Sequence, residues 1–397
     1  MLYIGPLKDF SGYANAARDY VRALDYVGCN IVTRHLKYDT GDYKNTTKER
    51  ELENRSIDDI DIVIQHTTPN ESQRKDGVFN VLYFAWETDR VPDEWVKNIN
   101  EMDLVLVPCD ENIKAARRCG VTVPIQKIVH TFDMDKYAGE RKPFSIPGVD
   151  NYFKFLSICQ YSKKKGVDAL LKAYLSEFTS KDNTLLILKT YIGTNDGEKE
   201  KNHIPQLIGA MKDILRLKDY PKVMLLQDIM SDEDISRLYE TSDCYVLPSR
   251  GEGWGIPCFD SLGYGKPAIS TGWAGPTEFI TPECGWLVNY NMSPVVDMPH
   301  PHDFMYTAKD NWAEPHVCDL KKAMREAHTL WGCRKSSWHS EDLYDSPTAA
   351  WGKMCAAAKA RAHDFDYDIV GTKMKHVILS HYKQWKNQNA NQCTVAV

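Results

Sequence analysis

The sequence lacks several features that would place the protein in a particular class. It has no run of about 18 apolar residues, the minimum for a membrane-spanning helix. It has no basic excess, since the net charge is −6, and this excludes a global positive field for nucleic acid or anionic lipid. No internal repeat or low-complexity tract is visible. The eleven cysteines contain no CxxC pair, which favours reduced core thiols over disulfides or a zinc site.

The N-terminus and the composition give two further expectations. The first residues, M-L-Y-I-G-P, lack the basic and apolar regions of a signal peptide, so we expect a cytoplasmic location. A chain of 397 residues accommodates two domains of about 150 to 200 residues. A Gly- and Pro-rich stretch at 137–150 is typical of a linker between them. We therefore place domains at 1–145 and 146–365, followed by a helical tail at 366–397.

The most informative stretch runs from Tyr245 to Ile280. It opens with an apolar run that predicts a buried strand, turns through several glycines, and continues as a helix with Pro257 near its start. A second apolar strand follows. Strand, glycine loop, helix and strand form half of a doubly wound sheet, and a loop that feeds a helix N-terminus is a natural anion site. Two acidic residues, Glu252 and Asp260, bracket this loop.

This stretch resembles the donor-site signature of family 4 glycosyltransferases, which are retaining enzymes of group 1 type. The resemblance is carried by E-G-W-G-I-P, G-K-P and G-P-T-E, the last at Gly275 to Glu278. The family has Glu, seven residues, then Glu, whereas this sequence has Asp260 at the second position. The alternative is an ordinary βαβ unit with solvated acidic side chains.

The resemblance implies an α/β fold of two facing Rossmann-like domains with a cleft between them, the GT-B fold. The first domain would bind the acceptor and the second the nucleotide-sugar donor, and the C-terminal helix would cross back to the first. Glu252 would act on the donor sugar together with the backbone of Gly253, Trp254 and Gly255. The helix that begins at Ile256 would add its dipole, and Asp260 would bind the ribose.

A second loop with chemistry lies in F-K-F-L-S-I-C-Q-Y-S-K-K-K-G, residues 153–166. A strand, a lysine, a glycine and a helix form a layout that binds phosphate. The family has an Arg and a Lys here that neutralise the donor diphosphate. This chain keeps the lysine as Lys165 but has Gln160 at the arginine position, so Lys164 or Lys163 would supply the second charge. A solvated lysine run is the alternative.

The N-terminal half offers weaker candidates. Ser11 caps a predicted helix, and Gly12 lets the backbone approach the donor. His66 follows a predicted strand, on the edge where α/β sites form, and could be catalytic or structural. In A-W-E-T-D-R-V-P-D-E-W, Glu87 and Trp86 are candidate acceptor contacts, as in a similar string of a glycosyltransferase subgroup. Alternatively, the two tryptophans of this string pack against the start of a helix.

Other segments give weaker indications. Residues 40–56 are expected to be a solvated loop, with contact to the acceptor as the alternative, and 291–311 are expected to be loop-like. His300 and His302 are too close and Pro-interrupted for a metal pair. The D-F-D at Asp364 to Asp366 matches a metal motif of another transferase fold, but its position before a helix favours capping acids.

The combined reading predicts a retaining glycosyltransferase that transfers a sugar from a nucleoside diphosphate sugar, such as a UDP- or GDP-sugar, to an acceptor hydroxyl. It needs neither a metal nor another cofactor. The acceptor stays open between a glycan, a lipid-linked sugar, a protein and a modified nucleobase. The alternatives are a nucleotide-sugar epimerase or phosphorylase on the same fold, and a non-catalytic module that binds nucleotide sugars.

Overall fold

The computed structural model describes residues 1–38, 43–191, 197–296, 298, 305–333 and 347–395. The chain divides into two compact units. Unit 1 comprises Met1–Lys136 together with Asp364–Val397, and unit 2 comprises Tyr137–His363. The C-terminal helix is therefore grouped with unit 1.

Unit 1 is built on a six-stranded parallel sheet with the strand order β2-β1-β3-β4-β5-β6. Near-continuous apolar runs form these strands because both faces of a parallel sheet are buried under helices. The elements in chain order are β1 (Leu2–Gly5), α1 (Gly12–Tyr26), β2 (Val32–His35), α2 (Thr47–Asn54), β3 (Ile62–His66), β4 (Phe79–Tyr83), α3 (Trp95–Asn100), β5 (Leu104–Val107), α4 (Asp110–Arg118) and β6 (Ile125–Lys127).

The two helices nearest the N-terminus differ in how well the sequence predicts them. The Ser11 side chain accepts a hydrogen bond from the Ala14 amide, so the predicted cap of α1 is confirmed. The prediction of a solvated loop at 40–56 is wrong for its second part, which is helix α2. That helix has a capping box between Thr46 and Glu49. Leu52 is its one buried apolar residue, so no apolar periodicity revealed the helix. Residues 39–42 lie outside the described part of the chain.

Unit 2 also has a six-stranded parallel sheet, in the order β12-β11-β10-β7-β8-β9. This is the doubly wound order in which the first and fourth strands of the unit lie side by side. The elements are β7 (Phe153–Gln160), α5 (Val167–Glu177), β8 (Thr184–Tyr191), α6 (Gly197–Leu215), β9 (Lys222–Leu226), α7 (Asp232–Thr241), β10 (Cys244–Leu247), α8 (Ile256–Gly263), β11 (Ala268–Thr271) and β12 (Gly285–Val288).

A hairpin follows the sheet of unit 2, where the sequence had indicated a loop. Its antiparallel strands are β13 (Tyr290–Pro294) and β14 (Asn311–Pro315), and the prediction for 291–311 is wrong at both ends. The side chain of Trp312 is buried, which fixes β14 against the unit. Helices α9 (Val317–Cys333) and α10 (Pro347–Ala362) complete unit 2.

The last helix, α11 (Tyr367–Val395), packs against α1 within unit 1. The contact is close, because a Cβ added to Gly371 would lie 2.7 Å from the Ala23 carbonyl oxygen. Lys375 Nζ donates to the Val27 carbonyl at 2.6 Å, where it caps the end of α1. At the start of α11, Asp366 Oδ1 accepts from the Tyr367 amide at 2.7 Å. None of the described helices is both long and apolar enough to cross a membrane.

Gly285 tests how tightly the sheet of unit 2 is built. An added Cβ at Gly285 would lie 2.2 Å from the carbonyl oxygen of Ala268 on the neighbouring strand. We predict that Gly285→Ala lowers the free energy of unfolding by about 2–3 kcal/mol, because backbone must move to relieve the overlap. Urea denaturation measures this change.

The matched control is Gly209→Ala in α6, where an added Cβ meets nothing within 4 Å. Relief of the entropic cost of glycine in a helix should raise stability there by about 0.5–1 kcal/mol. Equal effects of the two substitutions would contradict the close approach of β11 and β12.

Candidate active site

The strand order of unit 2 places its candidate site at the carboxyl ends of β7 and β10. These two strands lie side by side, and the chain leaves them in opposite lateral directions, which opens a crevice in doubly wound sheets. The loops that follow them are 161–166 and 248–255. The site is therefore formed by the lysine loop and the glycine loop that the sequence singled out.

The lysine loop folds as a tight 3-10 turn at Lys163–Lys165. The turn ends at Gly166, which has a φ of 65°, a left-handed conformation that side chains rarely adopt. A Cβ at this position would also lie 2.0 Å from the carbonyl oxygen of Pro248. Glycine is required here for both reasons, and it lets the two loops touch.

The central contact of the site joins Lys165 to Glu252. Lys165 Nζ lies 2.6 Å from Glu252 Oε1, and the Ser249 hydroxyl donates to the same oxygen at 2.9 Å. The lysine is about a quarter exposed and the carboxylate about a tenth. Two residues predicted as catalytic from separate motifs, 87 positions apart, thus form one ion pair.

Arg250 links the same two loops to the hairpin, and sequence reasoning missed it. Its residue is 2% exposed. Its guanidinium donates two parallel hydrogen bonds to Asp168, at 2.8 and 2.9 Å, and two more to the carboxylate of Glu314. Its Nη1 also donates to the Lys163 carbonyl at 2.6 Å. Two bidentate carboxylate pairs are the strongest arrangement available to an arginine.

The backbone of Arg250 makes the same connections as its side chain. Its amide donates to the Lys164 carbonyl at 2.7 Å, and its carbonyl accepts from the Ala313 amide at 2.9 Å. Burial alone would raise the pKa of Asp168, but the hydrogen bonds and charge of Arg250, with help from Lys163, bring that pKa below its ordinary value. Arg250 adjoins the glycine motif in sequence, but its partners lie 82 and 64 residues away, so no local signal reveals them.

The glycine loop delivers the chain to the N-terminus of α8. Gly255 caps the helix with a φ of 93°, and Pro257 occupies its first turn. Gly253 and Ile256 are partly exposed at this end. Trp254 is buried against Phe279, at 5.1 Å between ring centroids, so its side chain serves the core beneath the loop.

Asp260 lies in α8, one turn below the loop, and is 9% exposed. Its Oδ1 accepts a hydrogen bond from the Tyr137 hydroxyl at 2.6 Å. The Tyr137 ring closes over the helix, since a Cβ on Gly263 would lie 2.6 Å from it. The sequence predicted a ribose contact for Asp260, and the structure shows that a tyrosine orients its carboxylate.

Gln160 is the last residue of β7 and is exposed at the strand end. It is in register with Tyr191, the last residue of β8. Lys164 is half-buried in the turn, and its carbonyl is held by the Arg250 amide. Lys163 Nζ lies 3.3 Å from Asp168 Oδ2, so the two side chains form an ion pair.

The candidates of unit 1 occupy the corresponding edge of the first sheet. His66 ends β3 but is 1% exposed, and its Nδ1 lies 2.7 Å from the Tyr3 hydroxyl. The Tyr83 ring packs on it with centroids 4.5 Å apart. Burial, with a smaller contribution from His130, holds the pKa of His66 well below its ordinary value. A neutral imidazole inside an aromatic cluster is typical of a structural histidine.

The other three candidates of unit 1 are Gly12, Trp86 and Glu87. Gly12 is the first residue of α1. The Trp86 indole is buried, donates to Thr88 Oγ1 at 2.7 Å and packs edge-on against Trp95, as the structural alternative predicted. Glu87 follows it and is half-buried.

A search of the described residues finds no group of three or more His, Cys, Asp or Glu side chains that could hold a metal ion. His300 and His302 lie outside the described residues. The described part of the chain contains nine free cysteines, most of them buried.

Comparison with known proteins agrees with this geometry. Residues 140–294 match the family model for glycosyl transferases group 1. The matched segment includes both loops of the candidate site, and the resemblance stated from the sequence is confirmed at this level. A search of curated proteins gives no match to the chain.

Three solved structures have the same fold as this chain. Anabaena HepE in complex with UDP and glucose has a TM-score of 0.61 at 15% identity, with 96% of this chain and 99% of that chain covered. Sucrose-phosphate synthase from Thermosynechococcus elongatus has a TM-score of 0.60 at 14% identity, covering 98% and 99%. A glycosyltransferase from Rickettsia africae gives 0.59 at 14%, covering 96% and 98%. The predicted GT-B fold class is confirmed.

We predict that Arg250→Lys lowers the free energy of unfolding by about 2–4 kcal/mol. A lysine cannot make two bidentate pairs, so Asp168 and Glu314 would lose their shared partner. Arg118→Lys is the control, because Arg118 is about half exposed and its pair with Asp89 should contribute less than about 1 kcal/mol. Chemical denaturation of both variants measures the two losses of unfolding free energy. Losses of similar size would show that the Arg250 network does not stabilise the fold more than a surface ion pair does.

Proposed function

We propose that this glycosyltransferase transfers a sugar from a nucleoside diphosphate sugar to an acceptor hydroxyl, with retention of anomeric configuration and without a metal ion. The observation that carries the proposal is the Lys165–Glu252 pair at the switch point of unit 2, beside the N-terminus of α8. A cation, a carboxylate and a helix N-terminus are the groups needed to bind a charged diphosphate and a polyhydroxylated sugar.

Charge stabilisation is the main task in such a transfer. As the bond between sugar and diphosphate breaks, negative charge grows on the leaving oxygen and positive charge on the sugar. The Lys165 ammonium has three donor protons, and Glu252 takes one of them. The amides at the start of α8 add the positive end of a helix dipole. These groups would stabilise the leaving diphosphate without a metal.

Glu252 is better suited to hold the sugar than to attack it. One of its oxygens accepts hydrogen bonds from both Lys165 and Ser249, which reduces the nucleophilicity of the carboxylate. Retention would then follow from attack on the same face that the diphosphate leaves. In this scheme the leaving phosphate assists the acceptor hydroxyl, and no protein nucleophile is needed.

The solved neighbours support a nucleotide-sugar donor. Anabaena HepE has been solved in complex with UDP-glucose, with UDP, and with UDP and glucose. We propose a UDP- or GDP-linked donor here and no other cofactor. We also propose a cytoplasmic location, supported by nine cysteines that are free thiols, since such thiols persist in reducing compartments.

Nucleotide binding by the wild-type protein tests the proposed role of Lys165. UDP, GDP or ADP, tested with EDTA present, should raise the melting temperature of the wild-type protein by several degrees, because a ligand that binds only the folded state stabilises it. Lys165→Ala should lose this rise and sugar transfer together. Lys172→Ala, at an exposed position of α5, should lose neither. Wild-type transfer by Lys165→Ala would refute the proposed role of the pair.

The anomeric configuration of the product tests the same-face scheme. With an α-linked donor such as UDP-glucose, the product should carry the sugar in the α configuration, as measured by the anomeric proton coupling in NMR. A β product would require inversion and would exclude the same-face scheme. Binding of the nucleotide without transfer to any acceptor would instead favour a non-catalytic binding module.

A further inference from the structure

Lys189 is a buried ammonium that the site described above does not use. It lies near the carboxyl end of β8, the strand next to β7, and is 7% exposed. Within the described residues its Nζ has neither a hydrogen bond nor a carboxylate within ion-pair distance, and its nearest aromatic ring, Tyr191, is centred 5.8 Å away. Burying a charge without such a partner is costly, so lysines are rarely found in this condition.

The register of the sheet sets Lys189 on the same face as Gln160. In the β7–β8 pairing, Lys189 lies opposite Ile158 and Tyr191 lies opposite Gln160. Side chains two positions apart on a strand share a face, and those opposite each other in register do too. Lys189 and Gln160 are therefore diagonal neighbours at the edge where β7 delivers the lysine loop.

The charge of Lys189 also acts on Cys159, the residue before Gln160. Burial raises the pKa of this thiol to about 11, and the charges of Lys165 and Lys189 both oppose that rise.

Three of the neighbouring cations already face carboxylates. Arg250 is held by Asp168 and Glu314, Lys163 faces Asp168, and Lys165 faces Glu252. Desolvation lowers the pKa of Lys189, and Asp228 offsets only part of that effect. An anion placed beside β7 and β8 would relieve this cost directly. Gln160, being neutral, adds no charge of its own.

We propose that Lys189 is a donor-binding residue whose ammonium contacts the diphosphate of the nucleotide sugar, as the second cation beside Lys165. This inference rests on the proposed function. It assigns to a residue of β8 the charge that the neutral side chain of Gln160 cannot supply from the end of β7.

The test compares Lys189→Met with the wild-type protein by isothermal titration with UDP, GDP and ADP. Methionine keeps the unbranched side chain to within one atom of its length and removes its charge, so the melting temperature should be unchanged or higher. The affinity for the preferred diphosphate should fall at least about tenfold, as expected for loss of one charge-assisted contact. Lys172→Met, on the exposed side of α5, is the matched control and should bind as the wild type does.

Each possible result either supports or overturns the proposed role of Lys189. An affinity of Lys189→Met within about twofold of wild type overturns the inference, while the proposed function stands if the wild type binds. If affinity and melting temperature fall together, Gln160→Arg is added to Lys189→Met. Recovery of diphosphate affinity by this added charge on the same face supports the inference, and absence of recovery overturns it. A wild-type protein that binds none of the three nucleotides refutes the proposed function and this inference with it.

Discussion

The guanidinium of Arg250 makes the interactions on which the geometry of unit 2 depends. It joins the lysine turn through the Lys163 carbonyl, helix α5 through Asp168, and the hairpin through Glu314. The turn and α5 follow each other in the chain, but Asp168 and Glu314 lie 82 and 64 residues from Arg250. A buried charge with two bidentate partners is satisfied in one geometry only, because a displaced carboxylate would leave it unpaired. The lysine and glycine loops are thus held in one relative position.

Because the two loops are fixed, the Lys165–Glu252 pair is held in one geometry. An ion pair between two flexible side chains contributes little, since ordering them costs as much as their attraction returns. Here Gly166 lets the turn lie against the Pro248 backbone, and the Ser249 hydroxyl donates to the Glu252 carboxylate, so both partners are held by neighbouring groups. The charged groups of the site are therefore in position before a ligand binds. Such preorganisation is the condition for stabilising a transition state without rearranging the site.

The parts of this arrangement that could be predicted from sequence are those with a local signature. The structure of such a segment can be predicted from a few consecutive residues. Examples are the apolar run of β10, the Ser11 cap and the glycines before α8. Helix α2 has a single buried apolar side chain, and β14 consists of N-W-A-E-P, so neither shows a period. Arg250 and Lys189 could not be found by this route. Their roles depend on which strands become neighbours, and strand order is a property of the whole sheet.

The two departures from the family pattern, Gln160 and Asp260, have different physical consequences. Asp260 keeps its charge but is a methylene shorter than glutamate, and the Tyr137 hydroxyl holds it 2.6 Å away in a nearly closed niche. A carboxylate offers about four acceptor positions, so one tyrosine leaves room for a ribose hydroxyl. Gln160 removes a charge outright, and no local adjustment of an amide restores it. On the face that Gln160 shares, the cation that we propose in its place is Lys189 of the neighbouring strand β8.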